Sequence, residues 1–232
     1  MRKNYKYVGL IIIILVFGII FIPKIVDRLA NDTAVQDNRS LPAKPLAYIK
    51  LDGEAKRVPD FLMYNQDSLL ISNEDYLGKV YVAEFFFSRC PTICPIMNRN
   101  MKILDDRFWK RQDFGIASFT IDPAHDTPLI LKEYSQRYKV KSQNWHFLND
   151  EKDQIYKLAN SGFSIFASIN PEVAGGFEHQ GYFALIDKKG YIRSRFDRFD
   201  NPIVYYLGID REDQDIQGVE MLLEDIELLL KE

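Results

Sequence analysis

A chain of 232 residues, 47% hydrophobic and with a formal net charge of −3, is long enough to bury a substantial core, yet it carries no clustered basic face. That balance excludes nucleic acid as a partner. Two cysteines are too few for a disulfide scaffold, so the core must hold without covalent staples.

The chain opens with Arg2, Lys3 and Lys6, followed by an uncharged apolar run from Val8 to Ile22 that Pro23 and Lys24 close. The run is somewhat shorter than the roughly twenty apolar residues of a spanning helix, but Tyr5 and Tyr7 extend it at the interface. Cleavage as a signal peptide is the competing outcome. No small-x-small site follows Ile22, which favours a retained anchor over residues 1–26. The basic start then stays in the cytoplasm of a bacterium, the helix crosses the plasma membrane once, and the rest lies on the extracytoplasmic side, where thiols meet oxidants. Residues 27–45 are polar, with Pro42 and Pro45 and no apolar period, and read as a flexible stalk. One domain follows, from 46 to 232.

Within it, Tyr48 to Phe61 suggests an opening hairpin-like element around Asp52-Gly53, and Phe61–Tyr64 and Leu69–Ile71 are candidate short strands. Val80 to Phe87 is a near-continuous run of β-formers, the pattern of a central strand buried on both faces. It breaks into Ser88-Arg89-Cys90-Pro91-Thr92-Ile93-Cys94-Pro95. Pro95 suits a first helical turn, and Ile96, Met97, Met101, Leu104 and Phe108 recur at helical spacing. Strand 114–121, helix 127–138, strand 145–148 and helix 151–161 alternate thereafter. Strands 182–186 and 191–196 form a hairpin through Asp187-Lys188-Lys189-Gly190, and a helix over 218–230 closes the chain. The fold class is α/β: a thioredoxin-like fold with a central mixed sheet flanked by helices, preceded by the transmembrane anchor.

Both cysteines sit in one Pro-bracketed turn where a strand gives way to a helix. The helix dipole and the neighbouring Arg89 are expected to favour thiolate, the species that attacks disulfides and binds metals. The C-x-x-x-C spacing lets the sulphurs open around an ion without forbidding their joining. Two thiolates and one imidazole suit copper, whose cuprous form prefers sulphur and low coordination. Three histidines could supply the imidazole. His146 reads as packed in a short apolar strand, and His125 as exposed in an Asp/Pro-rich loop. His179 lies in a flexible loop ahead of the late hairpin, where scaffold-borne ligands often sit. Position alone does not decide among them.

Val58-Pro59-Asp60-Phe61, Gly78-Lys79-Val80, the Cys90–Pro95 box, Ile121-Asp122-Pro123-Ala124-His125-Asp126-Thr127-Pro128, and His179 ahead of Ala184-Leu185-Ile186-Asp187 together resemble the Sco/SenC family of copper-binding, thioredoxin-like proteins involved in cytochrome c oxidase assembly. The resemblance implies that Cys90, Cys94 and His179 bind a copper ion. It also places Asp122 near the site, as a residue behind the ligands or facing a partner. Two features depart from the family pattern: Ser88-Arg89 before the first cysteine, and a long stretch from Asp197 to Asp215.

The expected function is a membrane-held copper chaperone, not an enzyme, that delivers copper to the dinuclear site of a copper-receiving terminal-oxidase subunit. Thiol–disulfide reduction of partner cysteines, with Cys90 and Cys94 as the catalytic pair, is the alternative. Peroxide reduction fits poorly, because the Thr-x-x-Cys context of a cysteine peroxidase is absent.

Overall fold

The structure is a computed structural model that describes residues 9, 13–19, 21–23 and 44–232. Residues 13–19 and 21–23 are helical. Most of the expected anchor (1–26), and the stalk (27–45) up to residue 43, lie outside the described residues. Among the described residues, no helix is long and apolar enough to cross a membrane. The chain divides into two units, Met1–Ala43 and Lys44–Glu232, and the second holds the sheets and both cysteines.

Its strands and helices run in the order β1 (Ala47–Tyr48), β2 (Lys50–Leu51), β3 (Glu54–Ala55), β4 (Leu62–Tyr64), β5 (Leu70–Ser72), β6 (Val80–Phe86), α1 (Cys94–Phe108), β7 (Phe114–Thr120), α2 (Pro128–Arg137), β8 (Trp145–Leu148) and α3 (Lys152–Lys157). Then come β9 (Ala167–Ile169), β10 (Phe177–His179), β11 (Tyr182–Ile186), β12 (Ile192–Ser194), β13 (Tyr206–Leu207) and α4 (Gly218–Lys231). The main sheet has the order β1-β12-β11-β6-β7-β8, with β13 added alongside β11. Strands β6, β7 and β8 are parallel, and β11 runs antiparallel to β6. This is the expected central mixed sheet with helices packed on it.

All seven residues of β6 and all seven of β7 are buried, because helices cover both faces of the sheet. Phe85 stacks on Phe119 at 5.3 Å and meets Phe163 edge-on, filling one face. On the opposite face Phe86 packs against Tyr134 of α2 and Phe147 of β8. Thr127 caps α2 with its hydroxyl and Pro128 opens it, a start that costs no hydrogen bond. Helix α3 widens into a π-helical turn over Leu158–Phe163 and stops at Ser164, which is left-handed.

One element differs from the sequence-based expectation. The segment around His179 is not a flexible loop but a two-stranded antiparallel ribbon, β9–β10, with Phe177 opposite Ile169 and His179 opposite Ala167. Its strands are three residues long and their partner lies across a turn, so neither shows a period of its own. The long 197–215 stretch, whose structure the sequence left open, is joined to the main sheet. Its β13 pairs with Tyr182 and Phe183, and the Gly208 N–H donates to the Gly181 carbonyl at 2.7 Å. The Asn100 amide of α1 donates to the Gly208 carbonyl and to Asp210 Oδ1, so this stretch ties β11 to the cysteine-bearing helix.

Candidate metal centre

Where β6 ends, the chain must leave the sheet and turn into α1. Phe87 stays buried, and Ser88 is held mainly by Asp126: its N–H donates to Asp126 Oδ2 at 2.9 Å and its hydroxyl donates to Asp126 Oδ1. Asp126 is itself buried and also accepts from the Thr120 hydroxyl at 2.5 Å. Held in this way, the turn brings the Cys90 N–H onto the Phe87 carbonyl at 3.2 Å. Helix α1 begins at Cys94 with no side-chain cap at Ile93, which leaves first-turn N–H groups for another acceptor. The backbone N–H groups of Cys94 and Thr92 help to lower the nearby Cys90 thiol.

The ribbon carries the imidazole to the same place. His179 Nε2 lies 3.2 Å from Cys94 Sγ. Nδ1 donates to the Gln180 carbonyl at 3.3 Å, so Nε2 is the ring nitrogen that faces the sulphurs. The edge of Phe87 braces the ring at 5.9 Å between centroids. The two sulphurs and an imidazole nitrogen all lie within 4.8 Å of one another, with Cys90 and Cys94 buried and His179 half-buried. Both cysteines are free thiols.

The pair shares its protons unevenly. Cys90 is pushed down, chiefly by the hydrogen bond from Cys94 and further by those from His179 and the two backbone amides, which outweigh its burial. Cys94 is pushed up, first by burial and then by its role as donor to Cys90. One thiolate therefore faces one thiol. Arg89 is not among the main causes of this lowering, contrary to expectation, because its guanidinium is engaged on Asp122 Oδ2 at 2.6 Å. The hydrogen bond from Cys94, at the start of α1, is the main stabilisation instead.

His125 is exposed and bonds Asp126 Oδ1 at 2.9 Å, as its loop position suggested. His146 is packed edge-on against Tyr76, bonded to Asn65, and held below the usual histidine range by burial. Asp122 touches neither sulphur nor the His179 ring; it reaches the site only through Arg89. Asp122, His125 and Asp126 form a second close group, but Asp122 is committed to Arg89, and Asp126 to Ser88, Thr120 and His125. Sequence reasoning missed Asp126, Phe87 and Gln180. Asp126 was visible within the Asp-Pro segment, but nothing in its residue type says that it holds the strand exit thirty-eight positions upstream.

A further buried group lies under the cysteines. Glu84 of β6 is fully buried, accepts from the Ser118 hydroxyl at 2.7 Å, and has no partner for its second oxygen among the described residues. Burial raises its carboxyl to about 8.

Comparison with known proteins places these residues in a wider setting. The model of the SCO1/SenC family matches residues 50–212, a span that includes both cysteines and His179. The SCO1 protein homolog of Bacillus subtilis (strain 168) is 32% identical over 146 residues, covering 62% of this chain and 75% of that one. Among solved structures, a SCO1/SenC family lipoprotein from Bacillus anthracis str. Ames is 26% identical with a TM-score of 0.64, over 81% of this chain and 99% of its own. BsSco, described with a disulfide switch and as a member of the Sco family of cytochrome c oxidase assembly proteins, is 28% identical with a TM-score of 0.60, over 74% of this chain and 92% of its own.

Proposed function

Because the chain belongs to the SCO1/SenC family, we propose that it is a copper chaperone which holds one copper ion on Cys90, Cys94 and His179 and delivers it to the dinuclear copper site of a cytochrome c oxidase subunit during assembly. The observation that carries this reading is the convergence of two sulphurs and one imidazole nitrogen within 4.8 Å. The donor set fits the ion: two soft sulphurs with a single nitrogen favour copper over hard cations, and over the four-coordinate closed sites of structural zinc. Copper is the cargo. Capture releases the remaining thiol proton of Cys94, and the half-buried His179 side leaves a route for an acceptor's ligands to displace the imidazole first.

The oxidase partner is taken over from the assembly role stated for BsSco. A membrane tether formed by the basic start and the apolar run from Val8 to Ile22, on the outer side of a bacterial plasma membrane, would hold the domain near such a partner and raise its effective concentration there.

Thiol–disulfide reduction remains a second reading, favoured by the uneven proton sharing. The Cys90 thiolate would attack a partner disulfide, forming a mixed disulfide and expelling one partner thiolate. Cys94, losing its proton to that thiolate, would then attack the Cys90 sulphur. The partner leaves with both sulphurs reduced, one as thiol and one as thiolate, and the chain as a Cys90–Cys94 disulfide.

One experiment separates the two. The copper-loaded chain is mixed with the reduced dinuclear-site domain of an oxidase subunit, and the acceptor's copper absorption is followed. Chaperoning predicts transfer from the wild type and none from His179→Ala. Retention of full transfer by His179→Ala would overturn the chaperone reading. Full reduction of an oxidised acceptor by that same variant would support the reductase.

A further inference from the structure

The ribbon that carries His179 is a sheet of its own, separate from the main sheet, and few groups hold it over the cysteines. Its base is secured by Asn160, which bonds both backbone groups of Ala167, and by the paired Phe166 and Gln180. Its far end is held by packing: Gly175 sits against Phe87 and Pro91, and the Phe177 ring lies on Phe87 at 5.1 Å. One charged side chain reaches across. Arg89 places its guanidinium over the Phe177 ring at 5.8 Å while its Nε donates to Asp122 Oδ2 at 2.6 Å.

We propose that Arg89 is a latch that keeps the His179 ribbon closed, and so acts as a positioning residue for the third metal ligand. Three loops meet at this side chain: its own, between the end of β6 and Cys90; the loop after β7, through Asp122; and the ribbon, through Phe177. Phe177 and His179 are two residues apart on β10, so strand alternation sends both toward the cysteine turn, and whatever steadies one ring steadies the other. The anchor is firm on its inner side, since the Asp122 side chain is 4% exposed and Arg89 is its one side-chain partner among the described residues. Arg89 itself is 52% exposed, so the latch lies at the rim of the site, within reach of a docking protein. A lysine would keep the charge and lose the planar face that lies over the ring.

The copper arm of the test rests on the proposed function; the exchange arm does not. The full chain and its R89A variant are compared by the rate of copper release to a competing chelator and, without copper, by amide hydrogen exchange across 167–179. A half-exposed guanidinium of this kind predicts release and ribbon exchange roughly three- to tenfold faster in R89A. Because R89A leaves the Asp122 carboxylate unpaired, the double variant R89A/D122N is run beside it and shows the same acceleration. In an H179A background, R89A adds nothing to copper release, because the latch acts through the imidazole. Unchanged exchange in both R89A and R89A/D122N, or equal acceleration of release with and without His179, overturns the proposal. Should the wild type take up no copper, the chaperone reading falls and the exchange arm still decides the latch.

Discussion

At the scale of single residues, the sulphurs and the imidazole were legible because their chemistry is rare in this chain: two cysteines and three histidines leave few combinations. What was not legible was the electrostatics that tunes them. Arg89 stands beside Cys90 in sequence, yet its charge is spent on Asp122, while the thiolate is stabilised chiefly by the hydrogen bond from Cys94. Glu84 gives a pH prediction. Its carboxyl rises from an ordinary value of 4.5 to about 8, so between those limits the folded chain binds a proton that the unfolded chain has lost. The stabilisation is complete below about 4.5 and is lost as pH climbs through 8. Thermal melts of Glu84→Gln are therefore expected to lack part of the fall in melting temperature that the parent shows across that window. Parallel curves for the two proteins would mean that Glu84 is ionised within the fold.

At the scale of elements, strands β6 and β7 and helices α1, α2 and α4 lie close to where their apolar runs and spacing place them. The ribbon β9–β10 was missed because short strands paired only with each other have no hydrophobic period, and its glycines read as plain flexibility. Gly175 and Gly176 instead make a specific turn with φ of +90° and +81°. A Cβ on Gly175 would stand 2.9 Å from a Phe87 ring carbon and 3.1 Å from Pro91 Cδ, whereas one on Gly176 would meet open space. Both alanine variants carry backbone strain of roughly 1–2 kcal/mol, but only Gly175→Ala pushes the ribbon off the cysteine turn. Copper affinity should fall in Gly175→Ala and stay near the parent value in Gly176→Ala, as read by competition with a chelator. Equal losses would assign the effect to strain rather than to seating against Phe87.

At the scale of the whole molecule, a mixed sheet flanked by helices was implied by the alternation of strand and helix patterns, and a cysteine pair at the strand-to-helix switch located the site on it. The 85 positions between Cys94 and His179 are a different matter. No local pattern reveals that distant segments meet; the family resemblance supplied the link, and the folded chain provides the contact through a ribbon and a β13 clamp that the sequence hides. The central claim is that these three side chains form one copper site. X-ray absorption on the copper-loaded chain tests it most directly: the account predicts two sulphur neighbours and one imidazole nitrogen around copper, with the nitrogen absent in His179→Ala. A copper shell that is the same in His179→Ala as in the parent would contradict it.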